Sequence, residues 1–77
     1  MKRRIIMLPA ERLSEFVNKA NDCDFDIDIA NEHMHKHTVD AKSILGVMGL
    51  ELDKPIVVIY EGENTEFEEI LDELAVG

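Results

Sequence analysis

Apolar positions fall along this chain in short runs, and the period of the runs keeps changing. Arg4-Ile5-Ile6-Met7-Leu8 reads as a brief first strand, and Pro9 suits the first turn of a following helix, where its missing N–H costs nothing. Leu13, Phe16, Val17 and Ala20 recur at i, i+3, i+4 and i+7, one apolar stripe on a helix of about twelve residues that ends at Asn21-Asp22. The period then drops to two: Phe25, Ile27 and Ile29 alternate with Asp26 and Asp28, the pattern of a half-buried strand with a wet acidic face. Ala30-Asn31-Glu32 reads as a turn, and residues 33–40 as the returning strand, with Val39 inward and Thr38 and Asp40 outward. Ser43 through Leu50 predicts a short apolar helix with a serine cap and Gly49 as its stop. Ile56-Val57-Val58-Ile59-Tyr60 is the most apolar run and predicts a central strand. After the turn Glu61–Asn64, Thr65 with Glu68 three residues on forms a capping-box pattern, and Phe67, Ile70, Leu71 and Leu74 give the stripe of a final helix.

The order is therefore β-α-β-β-α-β-α. Helices with one apolar face each need a sheet to lie on, which implies an α+β open-faced sandwich with one sheet face covered. With 77 residues, 45% of them hydrophobic and 32% charged, the chain has the composition of one small globular domain. No apolar run approaches the roughly 18–20 residues of a membrane span, so no membrane partner and a cytoplasmic location are expected. Cys23 is the only cysteine, which excludes an internal disulfide and a thiolate metal cluster. It is expected to be a small, partly buried residue.

Charge narrows the partners. Asp plus Glu number 17 against 8 Lys plus Arg, a net of −9 with neutral histidines, so a phosphate backbone would be repelled and direct nucleic-acid binding is not expected. The bases gather early, at Lys2, Arg3, Arg4 and Arg12, whereas every charged residue from Glu61 on is acidic. That pattern predicts a solvated acidic final helix.

The segment Val39-Asp40-Ala41-Lys42-Ser43-Ile44-Leu45-Gly46-Val47-Met48 resembles the regulatory-serine stretch of the HPr family, the histidine phosphocarriers of the bacterial sugar phosphotransferase system. There the family places a valine, a small polar residue, Lys-Ser-Ile, an apolar residue, Gly, an apolar residue and Met. Element order, length and the acidic last helix agree as well. The resemblance thus spans essentially the whole chain, and it implies a single HPr-like domain over residues 1–77, with four antiparallel strands and three helices on one side. It also implies a non-enzymatic role, and no cofactor is expected. The family carries its phosphoryl group on a histidine within Gly-x-His-x-Arg-Pro-Ala, just before the first helix. Here the matching stretch is Met7-Leu8-Pro9-Ala10-Glu11-Arg12. Aligned through Ala20, Pro9 takes the histidine's place and Glu11 the arginine's, and Arg12 follows. Proline offers no nucleophile, and a glutamate repels phosphate. The chain in this respect resembles HPr paralogues that lack the carrier histidine and keep the regulatory route.

That route implies phosphorylation of Ser43 by HPr kinase and reading of the product by a LacI-type catabolite regulator. Lys42, Leu45 and Met48 would form the docking surface. A serine where a helix begins has backbone N–H groups aimed at it, so an added phosphate would find donors. The bland alternative is a plain helix cap, with Leu45 and Met48 in the core. A second reading keeps a phosphotransferase role, with an atypical histidine as carrier or with the chain competing for Enzyme I. A third reading rests on His33-Met34-His35-Lys36-His37. In an extended segment the imidazoles of His33, His35 and His37 would share one face, alternate residues lying about 6.5–7 Å apart, and adjacent pairs could hold zinc or nickel. This segment is longer than is usual in the family. A monomer and a weak homodimer are both compatible with the sequence.

Overall fold

The computed structural model describes residues 1–76. The chain runs β1 (Lys2–Ile6), a 3-10 turn (Ala10–Arg12), α1 (Leu13–Asn21), β2 (Ile27–Asn31), a second 3-10 turn (Glu32–Met34), β3 (Val39–Asp40), α2 (Ile44–Met48), β4 (Ile56–Tyr60) and α3 (Thr65–Leu74). The four strands form one sheet in the order β1-β4-β2-β3, and every pair is antiparallel. This is the expected α+β open-faced sandwich. The apolar run Ile56–Tyr60 is central because it pairs on both sides, with Lys2–Ile6 and with Ile27–Asn31.

Alternation decides the two faces of the sheet. Ile6, Ile27, Ile29, Ile56, Val58 and Tyr60 point to the side where Phe16, Val17, Ala20, Val47, Phe67, Ile70 and Leu71 close the core. Aromatic rings bridge the layers: Phe67 meets Phe16 at 5.9 Å between centroids and stands edge-on to Tyr60 at 5.5 Å. Phe25 lies just outside β2 and stacks on Tyr60 at 6.0 Å. The ring leaves room only for a glycine at position 62, where φ is +157° and a Cβ would run into Phe25.

Several boundaries differ from the sequence pattern, each for a local reason. β1 covers Lys2–Ile6 and not 4–8, because Lys2 and Arg4 point to the helix side and find acids there. Met7 leaves the sheet and donates its N–H to Leu74 O at 3.0 Å. The first helix splits into a 3-10 turn and nine residues of α1. Ala30-Asn31 continues β2 where a turn was expected. Asn31 is buried there, and its amide exchanges two 2.8 Å hydrogen bonds with the backbone of Glu51. Residues 33–37 are not a strand: they complete a turn in which His37 N–H donates to Met34 O at 2.9 Å, and the returning strand shrinks to Val39–Asp40. The cap of α3 is Asn64, whose Oδ1 accepts from Phe67 N–H at 3.0 Å, and not Thr65.

Glu68, expected in a capping box, is used differently. It accepts from the Tyr60 hydroxyl at 2.5 Å, from Arg4 Nη1 at 3.2 Å and from Lys2 Nζ at 3.4 Å. Arg4 also reaches Asp72 at 2.7 Å, and Lys19 on α1 reaches Glu66 at 2.7 Å. The final helix is thus tied by its acids to β1 and α1. Beyond it, Ala75 bridges Ile6 and Val76 N–H donates to Ile5 O at 3.1 Å, so the tail covers part of the outer edge of β1.

Burial and the bond to Glu68 raise the Tyr60 pKa above the ordinary tyrosine range. Removing the acceptor leaves the buried Tyr60 hydroxyl without a partner, while Arg4 keeps Asp72 and Lys2 keeps Gly62 O and Glu63. Glu68→Ala is expected to cost about 2–3 kcal/mol in urea unfolding, whereas Glu69→Ala on the exposed side stays within about 0.5 kcal/mol. The folded state keeps the phenol neutral while the unfolded chain ionises near pH 10. Stability from this group is therefore complete below about pH 10 and falls as pH rises above it, a fall that Tyr60→Phe removes.

Candidate functional site

The loop before α2 is built by backbone turns fixed to neighbouring elements. Ala41 N–H donates to Ile27 O at 2.9 Å, Ser43 N–H to Asp40 O at 3.0 Å, and Lys42 N–H to Asp40 Oδ1 at 2.9 Å. Asn21 at the end of α1 donates through its amide to Lys42 O at 3.0 Å. The Lys42 ammonium donates to Cys23 O at 2.9 Å. Lys42 is therefore a staple between the loop and the end of α1; its ammonium does not stand free beside Ser43, as a docking cation would.

Ser43 is exposed and extended (φ −102°, ψ 109°), and it caps α2: its Oγ accepts from Gly46 N–H at 3.3 Å, and its carbonyl accepts from Val47 N–H at 3.0 Å. With five residues, α2 adds little axial field, so any oxygen at this place gains from directed N–H groups and not from a macrodipole. Only Val47 of α2 enters the core. Ile44, Leu45 and Met48 are 42%, 79% and 56% exposed, and Met34 on the preceding turn is 47% exposed. The core alternative for Leu45 and Met48 fails on these numbers. They form an apolar shoulder directly after the serine, a feature that solitary surface apolar residues do not show. Between α2 and the turn Glu32–Met34 runs an open groove of about 470 Å³, floored by Val39, Gly46, Gly49 and Leu50 and walled by Met34 and His37. A Cβ at Gly46 would lie 3.4 Å from Val39, in ordinary van der Waals contact. Met34 and Ile44 carried no readable signal: one sits alone in a charged run, and the other looks like core by hydropathy.

Pro9, Glu11 and Arg12 lie at the other end of α1, about 13 Å of helix away at 1.5 Å per residue. Pro9 is extended and makes no side-chain cap. Glu11 is exposed. The Arg12 guanidinium donates to Glu15 at 2.8 Å and to Glu73 on α3 at 2.7 Å. These bonds raise its pKa and hold the Glu15 carboxyl below the ordinary range. Where a phosphorylated side chain would need a nucleophile and free donors, this corner has a proline and an arginine already engaged by two carboxylates.

The three histidines do not share an extended face, because residues 33–37 form a turn. His33 Nε2 lies 3.0 Å from Glu51 Oε2, while His35 ends the 3-10 turn. Among the described residues no three His, Cys, Asp or Glu side chains are gathered as a metal ion requires. Cys23 is buried, and burial pushes its thiol pKa up. Among the described residues no helix is long and apolar enough to cross a membrane.

Comparison with known families finds that residues 8–76 match the model described as PTS HPr component phosphorylation site. Among solved structures, the fold is similar to HPr-C-His from Thermoanaerobacter tengcongensis, at 24% identity and a TM-score of 0.71, covering 97% of this chain and 91% of that one. It is also similar to a phosphocarrier protein HPr from Bacillus anthracis str. Ames, at 30% identity and a TM-score of 0.66, covering 97% and 94%. A comparison with curated proteins finds no match.

The exposure pattern on α2 separates structural from contact residues. In urea unfolding Leu45→Ala is expected to change the unfolding free energy by less than about 0.5 kcal/mol, and Val47→Ala to cost about 2 kcal/mol. Ser43→Ala, which removes the cap, is expected to cost about 0.5–1 kcal/mol.

Proposed function

The chain belongs to the HPr family of the phosphotransferase system, and from that premise we propose that it acts as a regulatory, non-carrier member, switched by phosphorylation of Ser43. The observation that carries this reading is the contrast between the two ends of α1. At one end an exposed serine cap is followed by the unburied side chains of Ile44, Leu45 and Met48. At the other, Pro9 supplies no nucleophile and Arg12 is held by Glu15 and Glu73.

In this mechanism a kinase of the HPr kinase type binds the apolar shoulder and aligns ATP with Ser43. The Oγ attacks the γ-phosphorus, the new Oγ–P bond forms, the bond from phosphorus to the bridging β–γ oxygen breaks, and ADP leaves. The hydroxyl proton passes to a base on the kinase. The product carries about −1.5 to −2 charge. Gly46 N–H, already aimed at Oγ, donates to the new group, and Val47 stays in the core, so the switch needs no refolding. Its effect lies on the surface: an apolar patch acquires an anion beside it. A partner that reads the modified form needs cations next to an apolar pocket, the chemistry expected of a LacI-type catabolite regulator. The protein catalyses nothing by itself in this reading and works in the cytoplasm through protein contacts.

Intact mass after incubation with HPr kinase and ATP tests the proposal. One phosphate is expected on the wild type and none on Ser43→Ala. A wild type that takes no phosphate, or a Ser43→Ala variant that still takes one, sinks it. In a parallel incubation with phosphoenolpyruvate and Enzyme I no phosphate is expected. Its arrival there would restore the carrier role through one of the three histidines.

A further inference from the structure

Two hollows of different chemistry adjoin beside α2. The first is the groove of about 470 Å³ floored by Val39, Gly46, Gly49 and Leu50. The second, of about 270 Å³, is lined by His33, Met34, His35, Lys36 and His37. Met34 and His37 belong to both, so the apolar hollow meets the basic one at these two side chains. All three histidines of the chain and one of its lysines thus border a single hollow, in a protein whose net charge is −9. The acids and amides nearby are engaged or lie outside. Glu51, on the wall of the groove, lies 3.0 Å from His33 Nε2. Asn31, also on that wall, spends its amide on the backbone of Glu51. Asp40 Oδ1 accepts from Lys42 N–H at 2.9 Å, and neither Asp40 nor Glu32 lines either hollow. The polar side chain that the groove leaves to a ligand is His37.

An apolar floor that runs into a ring of bases is complementary to a molecule with two parts. We propose that the double hollow binds a small amphipathic organic acid, its hydrocarbon body in the groove and its carboxylate among His33, His35, Lys36 and His37. Sites for small molecules are mostly apolar clefts of about 300–1,000 Å³ with a few placed polar groups, and the groove has that size and lining. The apolar floor supplies affinity without choosing a charge, and the bases choose an anion while each exposed pair contributes little. A neutral hydrocarbon leaves the turn unused, and an inorganic anion leaves the groove unused. The proposal does not rest on phosphorylation of Ser43. It carries a sign in pH. Lys36 is cationic throughout, and histidines ordinarily titrate near pH 6.5, so the turn gains positive charge as pH falls. A carboxylate, ordinarily titrating near pH 4, stays ionised over the same window, so affinity rises as pH falls toward about 6.

Octanoate is the probe, followed by NMR through the methyl resonances of Met34, Val39 and Leu50 and the ring C–H of His37. At about pH 6 these are expected to shift saturably with a dissociation constant on the order of 1 mM, and at about pH 8 to need about ten times more octanoate. Octan-1-ol keeps the body without the charge, and acetate keeps the charge without the body; each is expected to bind at least about tenfold more weakly at about pH 6. Met34→Glu and Lys36→Glu are each expected to weaken octanoate about tenfold. Lys54→Glu makes the same charge change as Lys36→Glu outside both hollows and is expected to leave binding unchanged. All three positions are exposed, and circular dichroism checks that each variant is folded. The proposal is overturned by resonances that octanoate does not move up to about 20 mM at about pH 6. It is also overturned by octanol binding as well as octanoate, by equal affinity at the two pH values, or by a folded Lys54→Glu that loses as much as Lys36→Glu. Shifts of the same resonances that follow protein concentration without octanoate assign the groove to a second copy of the chain and overturn it too.

Discussion

Glu68 is the residue on which the assembly of this small domain turns. A core of this size cannot bury much apolar surface, so the last helix needs more than its stripe of Phe67, Ile70, Leu71 and Leu74 to keep its place. Glu68 takes a hydroxyl from the central strand and two cations from β1, all at one partly buried carboxylate. Two strands and a helix meet there. The arrangement also explains how a first strand beginning Lys-Arg-Arg can lie in a sheet. Lys2 and Arg4 turn toward the helices, where their charges are answered, and Arg3 turns away.

Similar arithmetic governs the ends of α1. Its N-terminal end is fixed by Arg12 to Glu73, a contact between exposed side chains that solvent screens. Its C-terminal end is fixed by two side-chain bonds to backbone carbonyls, from the Asn21 amide to Lys42 O and from the Lys42 ammonium to Cys23 O. These ties present the serine loop. At the N-terminal end Pro9 and an Arg12 engaged by Glu15 and Glu73 make a structural corner.

Much of this was legible in the sequence. The sheet-and-helix order, the central place of Ile56–Tyr60, the apolar stripes of α1 and α3 and the cap at Ser43 all follow from period and composition, because each reports a local rule. What was not legible depended on partners distant in the chain. Asn31 looks like a turn former until Glu51, twenty residues on, offers both a donor and an acceptor. Glu68 looks like half of a capping box until β1 arrives. Leu45 and Met48 look like core until the two-residue β3 and the short α2 leave them nothing to lie against. The histidines look like a strand because alternation is visible, while the turn that replaces it is set by a single backbone bond from His37 to Met34.

The strand order carries a consequence for how the chain comes to be folded. β4 lies between β1 and β2, yet it is the last strand to be made. During synthesis β1 leaves the ribosome with nothing to pair with, and β2 finds only the two residues of β3. No stable sheet exists until Ile56–Tyr60 emerges and fills the gap. Pairings of such long range in sequence close slowly. Acquisition of structure is accordingly a single late event, and the helix that follows β4, bringing Glu68 to Lys2, Arg4 and Tyr60, completes it almost as soon as it begins.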